Sequence, residues 1–510
     1  MSEPNAANSG SSKGSSRERS SQNRRIIVVG GGNAAFCAAI AARQRGAEVT
    51  VLERAPEALA GGNSRFTAGA MRTTHQGIPE LAALMPDLSA AEWARIDVEP
   101  YTRGDFLDDL GRVTQYRTDP WLAETLVERS FETLLWMRSQ GVRFLPLYGR
   151  QSFEVQGRIR FWGGLFVEVW GGGPGLIAAL TRRATMLGVD IRYGHRAISL
   201  AGTTRGIDGV IAHTPAGLAT MNADAVVLAS GGFEANAALR TQYLGPGWDL
   251  AHVRGTRFNT GDGIRMAVDI GAATRGHFSG CHAVQWDANA PEYGDLAVGD
   301  SFQKHSYPFG ILINSRGERF VDEGADFRNY TYARYGQEVL RQPGQTAWQV
   351  FDAKCDHLLR DEYRIRQVSK VTASSLEALA QQMEGMDTAR FLDTTVAFNK
   401  AVNVDVPFNP SIRDGRGTRG LLIPKSNWAQ RLDTPPYSAY AVGCGITFTF
   451  GGLHVDANAR VLAQDGKAIP GLYAAGELMG GLFYFNYPGG SGLTSGAVYG
   501  RLAGEAAAGS

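Results

Sequence analysis

The sequence predicts an α/β fold, and three segments support this class. Near its start, the apolar strand IIVV (26–29) runs into a glycine-rich turn, an alanine-rich helix and a second strand at 48–52. Much later, AVVLASGG (225–232) is another apolar strand that ends in glycines, and LYAAGE (472–477) is a third. Apolar strands that lead into glycine turns and alternate with helices are typical of a parallel sheet covered on both faces.

The first of these units carries a nucleotide-binding pattern. Gly30, Gly32 and Ala35 fit G-x-G-x-x-G/A: the first permits a tight turn, the second lets the backbone approach a pyrophosphate, and the third lets the helix lie close to the strand. Glu53 ends the second strand, where an acid reaches a ribose hydroxyl. The pattern predicts a dinucleotide site at the helix N-terminus; the alternative is a glycine-rich turn that binds no ligand.

Further glycine-rich loops indicate which dinucleotide. GGNSRFTAGAMR (61–72) is polar and follows the second strand directly, and FNTGDGIRMA (258–267) comes much later. Glycine turns that follow sequence-distant strands suggest that several loops meet one extended ligand, and FAD fits better than NAD. At 491–493, SGL opens an apolar helix whose N-terminal N–H groups would face the pyrimidine edge of the flavin.

The residues that we expect to contact FAD lie in these turns, at the strand ends and at the helix N-termini. They are Gly30, Gly32, Asn33, Ala34, Ala35, Glu53, Arg54, Asn63, Ser64, Thr67, Ala68, Gly69, Ala197, Ala229, Ser230, Gly231, Thr260, Gly261, Asp262, Gly476, Glu477, Ser491, Gly492 and Leu493.

Length and composition limit the number of domains and the kinds of partner and metal centre that we expect. A chain of 510 residues predicts two or more domains, or one large domain with an insertion. Hydrophobic residues make up 44% and charged residues 20%, as in a globular protein, and the net charge of +1 gives no reason to expect nucleic acid as a partner. The four cysteines are far apart and form no C-x-x-C pair, so we expect no zinc, iron–sulfur or haem centre.

The first 23 residues are rich in serine, asparagine and glycine, and we expect a disordered tail. This tail has no apolar run of the kind that a signal peptide needs, and the sequence has no stretch of membrane-spanning length. Together with the unpaired cysteines, this predicts a cytoplasmic protein.

The ordered set GxGxxA…E, GGNS, ASGGF, TGDG and AAGE resembles the flavoproteins of the fumarate reductase/succinate dehydrogenase superfamily, which also includes the 3-ketosteroid Δ1-dehydrogenases. The resemblance runs from about residue 24 to 508. Three stretches bring the chain closest to the tricarballylate dehydrogenase branch. They are GCHAVQWD (280–287), RFVDEGADFRNYTYA (319–333) and FYFNYPGGSGL (483–493).

The resemblance implies a Rossmann-like FAD-binding domain in two segments, 24–282 and 436–510, with an inserted α+β capping domain at 283–435. The sequence of the insertion is compatible with this, since it mixes strand-like and helical patterns. Closure of such a cap excludes water and completes the site.

Two catalytic residues follow from the resemblance. Arg328 matches the arginine that donates or accepts the proton, and His282 matches a histidine that binds a substrate carboxylate. Because arginine has a pKa above about 12, Arg328 needs a relay to a carboxylate, or it serves only as a carboxylate clamp. The acids that flank it in sequence are Asp322, Glu323 and Asp326. The alternatives are a cap arginine in a surface salt bridge and a histidine with a structural role.

Two positions depart from the fumarate reductases. Phe448 stands where those enzymes have a histidine, and Tyr487 stands where they have an arginine. One carboxylate anchor is therefore replaced by aromatic residues, which argues against fumarate or succinate as substrate. Tyr487 is similar to the tyrosine with which the ketosteroid dehydrogenases bind a carbonyl, or it forms an aromatic wall beside the flavin. Tyr330 and Tyr332 are weaker candidates for a proton relay.

The sequence therefore leaves three hypotheses. The first is an FAD-dependent dehydrogenase that oxidises a carbon–carbon single bond next to a carboxylate, as in tricarballylate to cis-aconitate, with hydride transfer to flavin N5 and proton transfer at Arg328. The second is a dehydrogenase or ene-reductase of a ketone or steroid-like substrate. The third is the flavoprotein component of a larger redox assembly, such as one of precorrin biosynthesis.

The expected partners follow from the same reasoning. We expect a small-molecule substrate, a carboxylic acid, and a separate electron acceptor, which the resemblance implies is an iron–sulfur membrane protein; the cytoplasmic protein would associate with it. We expect FAD to bind non-covalently, because His75 and its neighbours do not match the segment to which succinate dehydrogenase attaches its flavin.

Overall fold

The computed structural model describes residues 24–509, so the predicted disordered tail at 1–23 lies outside the described residues. Its strands are β1 Arg25–Val29, β2 Glu48–Glu53, β3 Ala70–Met71, β4 Ile96–Asp97, β5 Phe144–Pro146, β6 Ser152–Val155, β7 Arg158–Phe161, β8 Val167–Val169, β9 Asp190–Tyr193, β10 Arg196–Thr203, β11 Gly206–Thr214, β12 Gly217–Asn222, β13 Ala225–Leu228, β14 His252–Val253, β15 Thr274–Asp287, β16 Ile311–Asn314, β17 Ala347–Asp352, β18 Lys370–Ala373, β19 Tyr437–Leu453, β20 Arg460–Leu462 and β21 Ala468–Ala474.

The helices are α1 Asn33–Gln44, α2 Ile78–Leu84, α3 Ala90–Arg95, α4 Arg103–Val113, α5 Pro120–Ser139, α6 Tyr148–Gln151, α7 Gly172–Met186, α8 Ala237–Leu244, α9 Asp262–Asp269, α10 Tyr332–Leu340, α11 Leu376–Gln382, α12 Thr388–Ala401 and α13 Ser491–Ala508. None of the helices in this described range has the length and apolar character that crossing a lipid bilayer requires.

A six-stranded sheet with the order β20-β21-β13-β1-β2-β9 forms the centre of the nucleotide-binding unit. β1 pairs in parallel with β2 and β13, and β21 joins β13 in parallel, so the segment near the C-terminus completes the sheet that the N-terminal segment begins. Strands β1 and β13 are apolar because the sheet is covered, by helices such as α1 and α13 and by the three-stranded sheet β10-β11-β12, which packs on β13 and β21. The predicted α/β fold class is confirmed.

Small residues let α13 pack closely on α1. A Cβ atom at Gly500 would lie 2.4 Å from the carbonyl oxygen of Ala34, and one at Gly504 would lie 2.1 Å from that of Ala38. The alanines of α1 therefore serve close helix packing, and α13 is held against the start of the nucleotide-binding unit.

A second sheet contains β14, β19, β17 and β16 in that order, with β15 and β18 also paired to β19. Its two long strands, β15 and β19, are antiparallel partners that connect the inserted segment to the nucleotide-binding unit. The expected boundary at 282/283 falls within β15, and the one at 435/436 falls just before β19.

The inserted segment has a hydrophobic core of its own. Ile311, Val350, Phe391 and Phe398 are among its buried members, supplied by β16, β17 and α12. An independent core is what a separate capping domain requires. The division into two FAD-binding segments and a cap stays a prediction that this core supports.

Candidate active site

A cavity of about 260 Å³ lies where the carboxyl ends of β1, β2 and β13 meet the second sheet. One end is lined by the glycine turns and the other by residues of the inserted segment and by the aromatic residues before α13. The carboxyl edge of a parallel sheet is the usual place for a ligand in this architecture. The two ends have different chemistry.

The first glycine turn is shaped for close backbone approach. Gly30 has φ +115°, and a Cβ atom there would lie 2.3 Å from the carbonyl oxygen of Ala229. Gly32, the N-cap residue of α1, has no side chain to bond the helix N-terminus, so N–H groups of the first turn beyond Asn33 can serve an anion. Asn33 N donates to Ser64 Oγ at 3.1 Å, which fixes the second loop against the helix.

Glu53 occupies the position expected of the ribose-binding acid. It ends β2, it is buried, and its Oε1 accepts a hydrogen bond from Ala55 N at 2.7 Å. A Cβ atom at position 31 would lie 2.6 Å from Glu53 Oε2, so glycine is needed there to leave the carboxyl in place. Burial raises the pKa of Glu53.

Two sequence-distant loops meet beside this carboxyl. Arg54 Nη1 donates to Thr260 Oγ1 at 2.5 Å and to Asp262 Oδ2 at 3.0 Å. Arg196 Nε donates to the same Asp262 oxygen at 2.9 Å. These contacts join the end of β2 to the TGDG loop. This agrees with the expectation that loops distant in sequence meet around one extended ligand.

Most of the residues predicted to contact FAD line this cavity together. They are Gly30, Gly32, Asn33, Ala34, Glu53, Arg54, Asn63, Ser64, Thr67, Ala68, Ala197, Ala229, Ser230, Gly231, Asp262, Gly476, Glu477, Gly492 and Leu493.

The other predicted contacts lie behind the lining and support it. Ala35 is fully buried in α1, and Gly69 packs on Gly172, from whose Cα an added Cβ would lie 2.9 Å. Thr260 Oγ1 accepts from Arg54, Gly261 is the residue before α9, and Ser491 Oγ donates to the carbonyl of Pro488. Their roles as direct contacts of FAD stay predictions.

A buried carboxyl that sequence reasoning missed organises the middle of the cavity wall. Glu234 Oε1 accepts from the side-chain amides of Asn63 and Asn259, each at 2.6 Å. Burial and then the nearby Glu477 charge raise the pKa of Glu234 well above its usual value, which favours the protonated acid. The sequence held a signal for this residue, since Glu234 lies only two residues beyond the glycines that follow β13.

The structure brings the predicted substrate residues together at the other end. His282 on β15 pairs across the sheet with Phe448 on β19, and their ring centroids are 5.1 Å apart. The ring of Tyr487 lies 4.8 Å from that of His282, and the Tyr487 hydroxyl is hydrogen-bonded to that of Tyr332. All four line the cavity, and so does Arg328.

Two buried imidazoles face this end. His282 is 1% exposed, and neither of its ring nitrogens has a hydrogen-bond partner among residues 24–509. His305, which the sequence did not indicate, has its Nδ1 3.3 Å from Arg328 Nη1 and an Nε2 that is also unpartnered in that range. Burial, with a smaller effect of nearby arginines, lowers the pKa of both well below the usual value. Both are therefore neutral at pH 7.

Arg328 is partly buried, and none of the acids beside it in sequence contacts it. Asp322 accepts from Ser426, Glu323 pairs with Arg319, and Asp326 pairs with Arg112 at 2.6 Å. The surface salt bridge considered for Arg328 is thus not formed by these acids.

The guanidinium of Arg328 instead donates through Nη2 to the carbonyl of Arg150, and its Nε has no partner among the described residues. Burial lowers the pKa of Arg328, which makes its proton easier to release.

A further polar cluster at this end was also missed. Arg254 Nε lies 2.7 Å from Asp300 Oδ1, while Arg150 Nη1 and Gln303 Nε2 each donate to Asp300 Oδ2 at 2.9 Å. Burial opposes the charge of Arg254, but the Asp300 carboxylate together with the nearby Tyr332 and Tyr487 outweighs burial and raises the Arg254 pKa. These residues lie in segments without a recognisable motif, so no local pattern could have found them.

Other singled-out residues lie elsewhere. The Tyr330 hydroxyl donates to Asp109 Oδ2 at 2.5 Å, so it is engaged and not free for a relay. His75 forms an isolated bridge with Tyr101 behind the cavity wall. Among the residues that the structure describes, no group of three or more metal-binding side chains could hold a metal ion.

The buried histidines predict a loss of stability in acid. His75 is 2% exposed, and burial lowers its pKa to about 4. About 6.5 is the pKa of histidine in the unfolded chain. As the pH falls below it, His75 binds a proton in the unfolded state but not in the folded state. The free energy of unfolding therefore decreases until about pH 4, where His75 of the folded protein also binds a proton. The shift corresponds to about 3 kcal/mol.

Urea unfolding at pH 7.0 and pH 4.5 measures this effect. We expect His75→Gln to lose less stability between the two pH values than the unsubstituted protein. His213→Gln, at an exposed position on β11, is the control and should behave like the unsubstituted protein. An equal loss in the His75 variant would contradict the prediction.

Comparison with known proteins agrees with this geometry. A family model described as an FAD binding domain matches residues 25–493. A fumarate reductase (cytochrome) of Shewanella frigidimarina is 29% identical over 486 residues, covering 93% of this chain and 75% of that protein. A 3-oxosteroid 1-dehydrogenase of Mycobacterium tuberculosis (strain ATCC 25618 / H37Rv) is 29% identical over 301 residues, covering 54% of this chain and 51% of that protein.

A solved structure is similar over nearly the whole fold. The open conformation of a flavocytochrome c3 fumarate reductase matches with a TM-score of 0.71 and 26% identity, covering 96% of this chain and 78% of that one. The resemblance to the fumarate reductase/succinate dehydrogenase flavoproteins is confirmed. The closer resemblance to the tricarballylate dehydrogenase branch stays a prediction.

Proposed function

Because the chain belongs to the FAD binding domain family, with FAD as its cofactor and an oxidoreductase activity on carbon–carbon bonds, we propose that it oxidises a carbon–carbon single bond next to a carboxylate. The reaction would be of the type that converts tricarballylate to cis-aconitate. The glycine turns, Glu53 and the N-terminus of α1 fit the nucleotide part of FAD.

One observation carries the choice of substrate. Arg328 Nε, both ring nitrogens of His282 and His305 Nε2 line one cavity, and all of them lack a hydrogen-bond partner within residues 24–509. A buried polar group without a partner costs about 1–3 kcal/mol. An anionic ligand would accept hydrogen bonds from Arg328 Nε–H and from the one N–H that each neutral imidazole carries, and a carboxylate suits these donors best.

Each residue has a distinct task in this proposal. Bound FAD would supply the flavin N5 that accepts a hydride from the substrate carbon. Arg328, as the neutral guanidine that its lowered pKa favours, would hydrogen-bond the carboxylate and take the proton from the neighbouring carbon, becoming a guanidinium. His282 would donate to the same substrate carboxylate. Phe448 and Tyr487 would exclude water and fix the plane of the substrate.

The test is anaerobic mixing of the FAD-loaded protein with tricarballylate. We expect the oxidised flavin absorbance to bleach within the mixing experiment, with one cis-aconitate formed for each flavin reduced. Butyrate is the control for the general effect of a carboxylate. If tricarballylate leaves the flavin oxidised, the substrate assignment is wrong.

A second candidate, oxidation of a ketone substrate, is favoured by the buried pair of hydroxyls on Tyr332 and Tyr487. A phenol placed there could donate to a substrate carbonyl. Tyr487→Phe distinguishes the two: it should abolish flavin reduction by a ketone and leave reduction by a carboxylate largely intact.

We further propose a separate electron acceptor, in keeping with the expected iron–sulfur membrane protein. The four cysteines are buried free thiols, and among residues 24–509 only Cys281 and Cys444 share a side-chain cluster, so the described part of the chain offers no set of thiols that could hold an iron–sulfur centre.

A further inference from the structure

The substrate end of the cavity holds a second buried cation with no task so far. Arg254 is 7% exposed and lines the same cavity as His282. Its Nε and Nη2 lie 2.7 and 2.5 Å from Asp300 Oδ1, and its Nη1 donates to Thr447 Oγ1 at 3.2 Å. A guanidinium carries five N–H groups, so Arg254 keeps N–H groups that no acceptor in the described part of the chain uses.

The backbone places Arg254 beside the predicted substrate residues. Its amide donates to the carbonyl of Ile446 at 2.8 Å, and Thr447 is the next residue on β19. Phe448 follows and pairs with His282. The guanidinium therefore reaches the cavity from the residue that follows β14, beside the neighbouring strand β19 that carries Phe448.

Arg254 and Arg328 are held in one hydrogen-bonded chain. Asp300 bridges Arg254 to the guanidinium of Arg150, and the carbonyl of Arg150 accepts from Arg328. These contacts fix the distance between the guanidinium groups of Arg254 and Arg328, which two flexible side chains would otherwise leave variable. Preorganised charges of this kind discriminate between ligands by the position of their anionic groups.

We propose that Arg254 is a second anion anchor, which selects substrates that carry at least two carboxylates. This inference rests on the proposed function: Arg328 takes the carboxylate next to the oxidised bond, and Arg254 takes another carboxylate of the same molecule. Asp300 is a positioning residue that orients the guanidinium of Arg254. A monocarboxylate would leave the N–H groups of Arg254 buried and unsatisfied, which disfavours its binding.

The experiment compares the binding of tricarballylate, glutarate and butyrate, which carry three, two and one carboxylates. The holoenzyme is first reduced under anaerobic conditions, so that no ligand can be oxidised, and binding is followed by tryptophan fluorescence. We expect the unsubstituted protein to prefer glutarate over butyrate by about 10- to 100-fold.

Arg254→Gln should reduce this preference to about unity and change butyrate affinity little, and Arg254→Lys should retain part of it. Asp300→Asn should weaken the preference for glutarate without weakening butyrate. Arg257→Gln is the matched control, because this arginine is exposed, lies three residues away and packs on Tyr293. Its preference should equal that of the unsubstituted protein.

Three outcomes would overturn the inference: a preference that survives Arg254→Gln, an equal loss of glutarate and butyrate affinity in that variant, or an unsubstituted protein that does not prefer glutarate. Thermal unfolding and FAD content identify variants that fail to fold, and Arg254→Lys then serves in place of Arg254→Gln. An Arg254-dependent preference without flavin reduction by any carboxylate would uphold the anchor and refute the proposed reaction.

Discussion

Replacing Arg328 with glutamine is expected to slow flavin reduction by a carboxylate substrate about 10²- to 10⁴-fold, the usual loss when a proton-transfer residue is removed. The physical reason is that the variant loses both the N–H donors that hold the carboxylate and the group that accepts the proton. FAD content should not change, because Arg328 lies at the substrate end of the cavity. Stopped-flow absorbance at saturating substrate measures the rate.

Two further variants show which property of Arg328 causes the slower flavin reduction. Arg328→Lys keeps a charge but loses the guanidinium fork, so it should recover binding more than rate. Arg334→Gln is the control, since Arg334 is exposed six residues further along and pairs with Glu338. If Arg328→Gln raises the KM alone and leaves the limiting rate intact, Arg328 is only a clamp and another group carries the proton.

Replacing Gly30 with alanine is expected to give a folded protein that is purified without FAD. The new Cβ would lie 2.3 Å from the carbonyl oxygen of Ala229, at a residue with φ +115°. We expect about 1–3 kcal/mol from overpacking and about 1–2 kcal/mol from the backbone conformation. The turn must move to relieve this clash. We therefore expect the substitution to disturb the loop that we propose contacts the pyrophosphate of FAD.

The measurements are the ratio of flavin to protein absorbance and circular dichroism. Gly46→Ala is the control, because Gly46 also has a positive φ, +87°, but a Cβ atom there would meet no other atom within 4 Å. It should bind FAD normally and lose only about 1 kcal/mol of stability. Normal FAD content in the Gly30 variant would show that the turn does not approach the cofactor.

The nucleotide end of the cavity could be predicted from sequence because its information is local. Gly30, Gly32 and Glu53 belong to one continuous βαβ unit, in which the strand and helix periods fix where each residue points. The structure places all three in the lining, as expected. Strand β21, from the second predicted segment, pairs with β13 in the same sheet, while the division into two FAD-binding segments and a cap stays a prediction.

The substrate end depended on long-range contacts. Arg254, Asp300 and His305 come from irregular or very short elements, where no periodicity shows which way a side chain points. Asp326 illustrates the opposite error: it lies two residues from Arg328 in sequence, but it pairs with Arg112. Closeness in sequence therefore predicts contact in the structure only within regular helices and strands.

The link from Arg150 to Arg328 and Asp300 has a thermodynamic consequence. Arg150 lies in α6 of the first segment, while both of its partners belong to the insertion. Separation of the two parts would break both contacts at once and misplace both arginines that we propose bind carboxylates. Apparent affinity for substrate would then equal the intrinsic affinity multiplied by the fraction of molecules whose two parts are together. A substitution far from the flavin that shifts this fraction would therefore change KM without touching the substrate.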